Sequence, residues 1–178
     1  KSSKILNSRR SDFAPMFLDK AHDVVYFSTT NEKVTGDNRS EITGMKKSDI
    51  WMSRKDEQGN WLRPEPVEGG VNTDREEGVM SFTPDGSTMY YTKARREPNS
   101  NTGVEIYTAQ RSDAKWSDGT KYEITADTLS NYGHPAVSPD GSWLYFSSDM
   151  PGGSGGYDLW RVNLKSAIGS LENLGEWI

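Results

Sequence analysis

Val137-Ser138-Pro139-Asp140-Gly141-Ser142-Trp143-Leu144-Tyr145-Phe146-Ser147 reads as a strand end, a turn and a second strand, and a similar segment occurs twice more. Phe82-Thr83-Pro84-Asp85-Gly86 runs on to Tyr90-Tyr91-Thr92, and Pro15-Met16-Phe17 runs on to Val25-Tyr26-Phe27-Ser28. In the Pro-Asp-Gly element, Pro presets φ at the first central position of the turn, Asp bonds its own backbone, and Gly accepts φ > 0. Each copy is followed, after a variable polar stretch, by a second aromatic strand: Asp49-Ile50-Trp51-Met52, Glu105-Ile106-Tyr107-Thr108 and Asp158-Leu159-Trp160-Arg161. The repeat unit therefore holds at least three strands.

Tyr26 and Tyr90 lie 64 residues apart, Tyr90 and Tyr145 55. That exceeds the roughly 40 to 50 of common propeller repeats, and the excess falls between the second and third strands, where a loop grows without disturbing a core. The fold class expected is all-β: β-propeller blades of four antiparallel strands, three of them recognisable. A β-sandwich also shows short strands and turns, but it has no reason to repeat one turn and one aromatic pair three times.

The first copy is expected to place an innermost strand at Phe17 and Leu18, a turn over 19–23, a second strand over 24–29, a polar loop over 30–47, a third strand over 50–53 and an edge strand over 61–66. That edge strand tolerates two prolines. The second copy predicts strands over 81–83, 89–93, 105–110 and near 121–125. The third predicts 136–138, 143–148, 157–163 and 172–178. Blades then cover 12–67, 77–125 and 132–178, with 1–11 a strand or connection from a preceding blade.

Composition narrows the function classes. Mean hydropathy is low at −0.82, but six Trp, eight Tyr and five Phe argue against disorder. A net charge of −5 and a pI near 5.1 give no electrostatic reason to expect nucleic acid as partner. With no cysteine, disulfides, thiol nucleophiles and zinc-thiolate sites are excluded. No apolar run approaches the roughly 18 residues of a membrane span, and residues 1–12 lack the apolar centre of a signal peptide. A first residue other than Met is expected of a processed product or an excised piece.

The strings Ser-Pro-Asp-Gly, Leu-Tyr-Phe-Ser and, above all, Pro151-Gly152-Gly153-Ser154-Gly155-Gly156-Tyr157-Asp158-Leu159-Trp160 resemble the TolB-type propeller repeat of OmpA-family envelope lipoproteins of Bacteroidota. The connections Leu6-Asn7-Ser8-Arg9-Arg10-Ser11-Asp12-Phe13 and Val71-Asn72-Thr73-Asp74-Arg75-Glu76-Glu77-Gly78 are similar to that family's passage between blades. The first copy departs from the pattern, with Asp19-Lys20-Ala21-His22-Asp23 in place of Pro-Asp-Gly and 33–47 in place of the glycine-rich loop. The resemblance implies a non-catalytic interaction module of a peptidoglycan-associated lipoprotein, in the periplasm at the outer membrane. Some members are similar to components that link the type IX secretion machinery to the cell wall. It implies a protein partner in the envelope and no cofactor. It also makes Asp127-Thr128-Leu129 similar to an envelope O-glycosylation sequence, with Thr128 the acceptor.

Three blades fall short of the roughly four to eight that close a propeller. Open sheet edges invite pairing with another chain. The chain is therefore expected to be part of a larger propeller; a ring closed by a second copy and an unrecognised divergent blade are the alternatives.

Enzyme chemistry finds little footing. Ser154 lacks the Gly-x-Ser-x-Gly spacing of a nucleophile turn, and the two histidines, His22 and His134, do not make a zinc pattern. No Asp-x-Asp-x-Asp-Gly calcium loop is present, and paired acids as in a glycosidase cannot be matched across blades from sequence. In a propeller, the loops from the fourth strand to the next first strand, and from the second to the third, emerge on one face. They carry Arg9, Arg10, Arg39, Asp74, Arg75, Glu76, Arg95, Arg96, Tyr132 and His134. Arg and Tyr supply much of the energy of protein interfaces, so this face is the expected contact surface. Trp51, Tyr107 and Trp160 are expected between adjacent blades.

Overall fold

The computed structural model describes residues 5–36, 47–95, 103–166 and 170–175. Among them there is no helix, and the strands form three antiparallel sheets in chain order. The first runs β1 (Asp12–Phe17), β2 (Val24–Thr29), β3 (Asp49–Arg54), β4 (Glu65–Pro66). In the second, β5 (Glu77–Phe82), β6 (Thr88–Ala94) and β7 (Val104–Ser112) are followed by a short β8 (Lys115–Trp116) and by β9 (Thr120–Lys121), both paired to β7. The third runs β10 (Tyr132–Val137), β11 (Trp143–Ser148), β12 (Asp158–Asn163), β13 (Glu172–Asn173). These are three propeller blades.

The innermost strands start earlier than the sequence predicts, at Asp12, Glu77 and Tyr132, and Leu18 lies past the end of β1. The reason is a register shift in each, between Phe13 and Met16, Gly78 and Met80, and Gly133 and Ala136. A bulge breaks the alternation that marks a strand in sequence. Among the described residues the outermost strands are shorter than expected, because only two residues of each pair with the third strand; 176–178, expected in the last of them, lie outside the described residues.

The repeated turn folds as its chemistry dictates. Gly86 N–H donates to Thr83 C=O and Gly141 N–H to Ser138 C=O, both at 2.8 Å, with the glycines at φ +66° and +67°. Thr83 Oγ1 donates to Asp85 at 2.6 Å, and Ser138 Oγ donates to Asp140 at 2.5 Å. These bonds hold both carboxyls down at about 2. In the first blade the substituted turn keeps the same shape: His22 N–H donates to Asp19 C=O at 3.3 Å, with His22 at φ +57° where the others have glycine.

The core lies between blades. Tyr26 and Ile50 of the first blade pack with Met80, Met89 and Tyr91 of the second. Tyr90 and Ile106 of the second pack with Leu144, Phe146 and Trp160 of the third. Alternation along β6 sends Met89 and Tyr91 to one side and Tyr90 to the other, so one strand serves both cores.

β8, unforeseen in the sequence, is a strut. It carries Trp116, 3% exposed, into the first core, where Nε1–H donates to Tyr26 Oη at 3.3 Å and the ring lies 5.7 Å from Phe82. Its backbone is clamped to the first blade through Trp116 N–H to Glu68 C=O and Gly70 N–H to Trp116 C=O. Gly69 leaves the room, since a Cβ there would stand 1.8 Å from Trp116 O.

Replacing Trp116→Ala should lower the urea-unfolding free energy by about 3–5 kcal/mol, while Leu129→Ala, at a side chain 86% exposed, should stay within about 0.5 kcal/mol. In an NMR titration, Ser138→Ala should return the Asp140 carboxyl toward its ordinary 3.8 and leave Asp85 at about 2. Because both carboxyls are depressed, their contribution to stability is present above the ordinary value and is lost as pH falls through about 2.

Candidate interaction face

The connections between blades are tied down by the first residue of each innermost strand. The Asp12 carboxylate accepts Ser8 N–H at 2.7 Å and Thr29 Oγ1–H at 2.6 Å. One blade later, Glu77 accepts the Thr73 N–H at 3.1 Å, the Thr73 hydroxyl and, at 3.2 Å, the Lys93 ammonium. Glu77 and Lys93 are both buried, and Lys93 Nζ sits 5.2 Å from the centre of the Tyr107 ring. Burial pushes the Glu77 carboxyl up despite these donors. In the third blade Tyr132 takes the equivalent place, its hydroxyl 2.9 Å from Thr125 Oγ1.

Asparagines fix the connections to the preceding blade. Asn72 brackets Ile50, accepting its N–H at 2.8 Å and donating to its C=O at 2.9 Å. Asn131 accepts Val104 N–H at 2.9 Å and donates to Asp149 at 2.8 Å. The face is thus a set of braced loops.

The candidate residues divide into two groups on this frame. Arg9, Asp74, Glu76 and His134 are exposed. Arg10 is exposed but paired with Glu32 at 2.7 Å. Arg75 is folded over the Tyr107 ring at 5.8 Å and reaches Ala94 C=O at 3.4 Å. Arg95 is largely buried, donating to Leu129 and Ser130 carbonyls at 3.2 and 2.5 Å and lying 3.5 Å from Glu105. It staples the next connection and presents little to a partner. Arg39 and Arg96 lie outside the described residues.

Two placements correct the sequence reading. Tyr132 is not on the loop face: it is 6% exposed, inside the second core, because it opens β10 and faces Phe146 with ring centres 6.1 Å apart. His134 belongs to β10 and not to the connection, at φ +53°. Thr128 is exposed in a loop braced by Asp127, which accepts Leu129 N–H at 2.8 Å.

His134 has counterparts that sequence reasoning missed. The third residue of each innermost strand is left-handed and not glycine: Ala14 at φ +51°, Val79 at +43°, His134 at +53°. Such a conformation is uncommon outside glycine and an outlier for a β-branched residue. Each shift of register in the innermost strand coincides with one of these residues. The Val79 N–H is received by Ser28 Oγ at 3.1 Å and the His134 N–H by Thr92 Oγ1 at 2.9 Å. No side-chain pattern announces a bulge whose partner is one blade away.

Among the described residues no cluster of three or more His, Asp or Glu is placed to hold a metal ion. His134 Nδ1 lies 2.9 Å from Ser147 Oγ, which also donates to Gly133 C=O at 3.3 Å. Ser154 sits in a loop wrapped on the Asp158 carboxylate, which accepts the Ser154 and Gly155 N–H groups at 3.0 and 3.2 Å. That is the structural content of the glycine-rich string: a Cβ at Gly153 would fall 1.9 Å from Asp158. Trp51 and Trp160 are buried, and Tyr107 is half-buried beneath Lys93.

No protein-family model matches the chain, and no curated protein matches it in sequence. Solved structures do match in fold. TolB from Acinetobacter baumannii superposes with a TM-score of 0.56 at 19% identity, over 97% of this chain and 34% of its own. A protein described as TolB from Agrobacterium tumefaciens gives 0.61 at 18%, over 97% and 50%. A puromycin-hydrolyzing peptidase from Mycobacterium tuberculosis gives 0.59 at 15%, over 94% and 24%. The chain has a TolB-like propeller fold and spans no more than half the length of these proteins.

Lys93→Met should destabilise the chain by about 3–5 kcal/mol at neutral pH, because it strands a buried carboxylate. The loss should shrink in mildly acid solution. A carboxyl raised in the folded state favours folding fully below its ordinary 4.5 and loses that contribution as pH rises through its folded value. Urea unfolding at the two pH values measures both effects.

Proposed function

We infer that the chain is the propeller part of a non-catalytic scaffold that holds a protein partner in the bacterial envelope. The observation that carries this reading is the exposed set Arg9, Asp74 and Glu76, presented on connections braced by part-buried hydrogen bonds, with His134 exposed on β10. A braced array that carries charge of both signs suits recognition, since pre-ordered loops lose little entropy on binding. The acids nearest this face, Asp12 and Glu77, already bond to connection backbone and neighbouring side chains, which leaves them holding structure. The TolB-like fold supports an envelope setting by analogy of fold alone.

The glycine-rich Asp-Leu-Trp string and the connections that resemble the OmpA-family repeat extend the reading. They favour a peptidoglycan-associated lipoprotein of Bacteroidota, periplasmic at the outer membrane, with a link between a secretion complex and the cell wall as its role. A propeller accessory to a serine peptidase, or a propeller hydrolase in its own right, is the competing role.

A photo-crosslinking residue placed at Asp74 or His134 in native cells should yield a discrete protein adduct. One placed at Gln58, in the turn at the opposite end of the blade, should not. Arg9→Glu should weaken capture by about tenfold, the effect of a single interface anchor. Adducts confined to position 58, or turnover of a peptide substrate by the parent protein that depends on His134, would overturn the proposal.

A further inference from the structure

The connection from the second blade to the third, residues 122–131, is tied down along its length. The Asp127 carboxylate accepts Leu129 N–H at 2.8 Å and the Ser130 hydroxyl, and the Asp127 C=O accepts Tyr132 Oη–H at 3.3 Å. From the second blade Arg95 donates to the Leu129 and Ser130 carbonyls, and from the third Asp149 accepts Asn131 N–H at 2.6 Å. The side chain that this frame holds out is Leu129, 86% exposed. A single exposed leucine is ordinary on a protein surface. One whose backbone is fixed at both N–H and C=O is a preformed contact, because a partner spends little entropy on ordering it.

A recess of about 130 Å³, lined mainly by apolar atoms, opens where Phe13 of the first blade meets Val79, Ala94 and Val104 of the second. Val104 N–H donates to Asn131, and Ala94 adjoins Arg95, so recess and leucine belong to one frame. The volume is close to the roughly 150 Å³ that takes up a benzene ring, which is room for one aliphatic side chain.

The charge around both features has one sign. The connections 67–76 and 122–131 hold the acids Glu68, Asp74, Glu76, Glu123 and Asp127 and the single base Arg75, which is folded over the Tyr107 ring. Lys47 is half-buried, its ammonium 3.3 Å from the Asp74 carbonyl. Asp74, Glu76 and Asp149 stay exposed.

We propose that Leu129 and the recess are the apolar centre of the partner contact. The partner meets them with a protein segment that offers an aliphatic side chain to the recess and a hollow to Leu129, flanked by lysine or arginine for Asp74, Glu76 and Asp149. An apolar centre inside a polar rim is the common build of a protein interface. The inference rests on the scaffold reading above and specifies what the partner of that scaffold must present.

A photo-crosslinking residue in place of Thr128, in the protein in its native cells, tests this when the crosslinked partner peptide is sequenced by mass spectrometry. That peptide should hold an aliphatic residue within a few positions of a lysine or arginine. Leu129→Ser should cut the crosslinking yield from Asp74 about tenfold. Its circular dichroism spectrum should be unchanged, because the side chain touches little within the chain. A yield from Asp74 indifferent to Leu129→Ser, a partner peptide without a basic or an aliphatic residue, or a sugar on Thr128 that covers the leucine would each overturn this inference and leave the scaffold reading standing. Absence of any adduct from both Asp74 and Thr128 would overturn the two together.

Discussion

A four-stranded blade has two faces and no core of its own, and every other feature of this chain depends on that constraint. β6 shows it most directly, with Met89 and Tyr91 buried against one neighbour and Tyr90 against the other. Such a sheet cannot read as hydrophobic-in, polar-out. It reads as a short aromatic run flanked by polar turns, and that is how a chain of mean hydropathy −0.82 still assembles two cores. Stability is then shared between neighbours, as in other stacked-repeat proteins.

Junction chemistry follows from the same constraint. Two sheets packed face to face at their inner edges leave backbone groups that no strand can pair, and a buried unpaired amide costs about as much as a lost hydrogen bond. The chain meets this with side chains sent across the junction: Ser28 to Val79, Thr92 to His134, Asn72 to Ile50, Ser81 to Val137. The carboxylates of Asp12 and Glu77 act within a connection in the same manner. Much of the polar character near the candidate face is therefore structural, and the residues left for recognition are those that the bracing does not consume.

The fold was legible because its signals are local. Pro-Asp-Gly needs only its own backbone and the flanking hydroxyl to form, and the short aromatic run after it marks the second strand. What was illegible depends on residues far apart in sequence. Tyr132 looked like an exposed loop anchor because the bulge before Ala136 hides the start of β10, and nothing nearby says that a tyrosine there points inward. Arg95 looked free because its acceptors, the Leu129 and Ser130 carbonyls, are backbone groups of the next connection. Trp116 gave no sign of its strut because its partners, Tyr26 and Glu68, belong to another blade. The exposed residues Arg9, Asp74 and Glu76 were identifiable from the resemblance between connections, which fixes which loops share a face.

The left-handed residues at the inner edge pose the last question, since strain of this sort often marks a working site. Here the three positions hold Ala, Val and His, with no shared side-chain chemistry, yet share one backbone geometry. A catalytic or ligand-binding demand would constrain the side chain; a demand for a turned-out amide would not. In two of the three, that amide is the donor that crosses to the neighbouring blade. The cost of a left-handed residue, of order 1–3 kcal/mol, is offset at those two junctions by a hydrogen bond and by the burial that the bond positions. Strain at this edge is the price of closing one blade onto the next, and His134 owes its exposed position to that requirement.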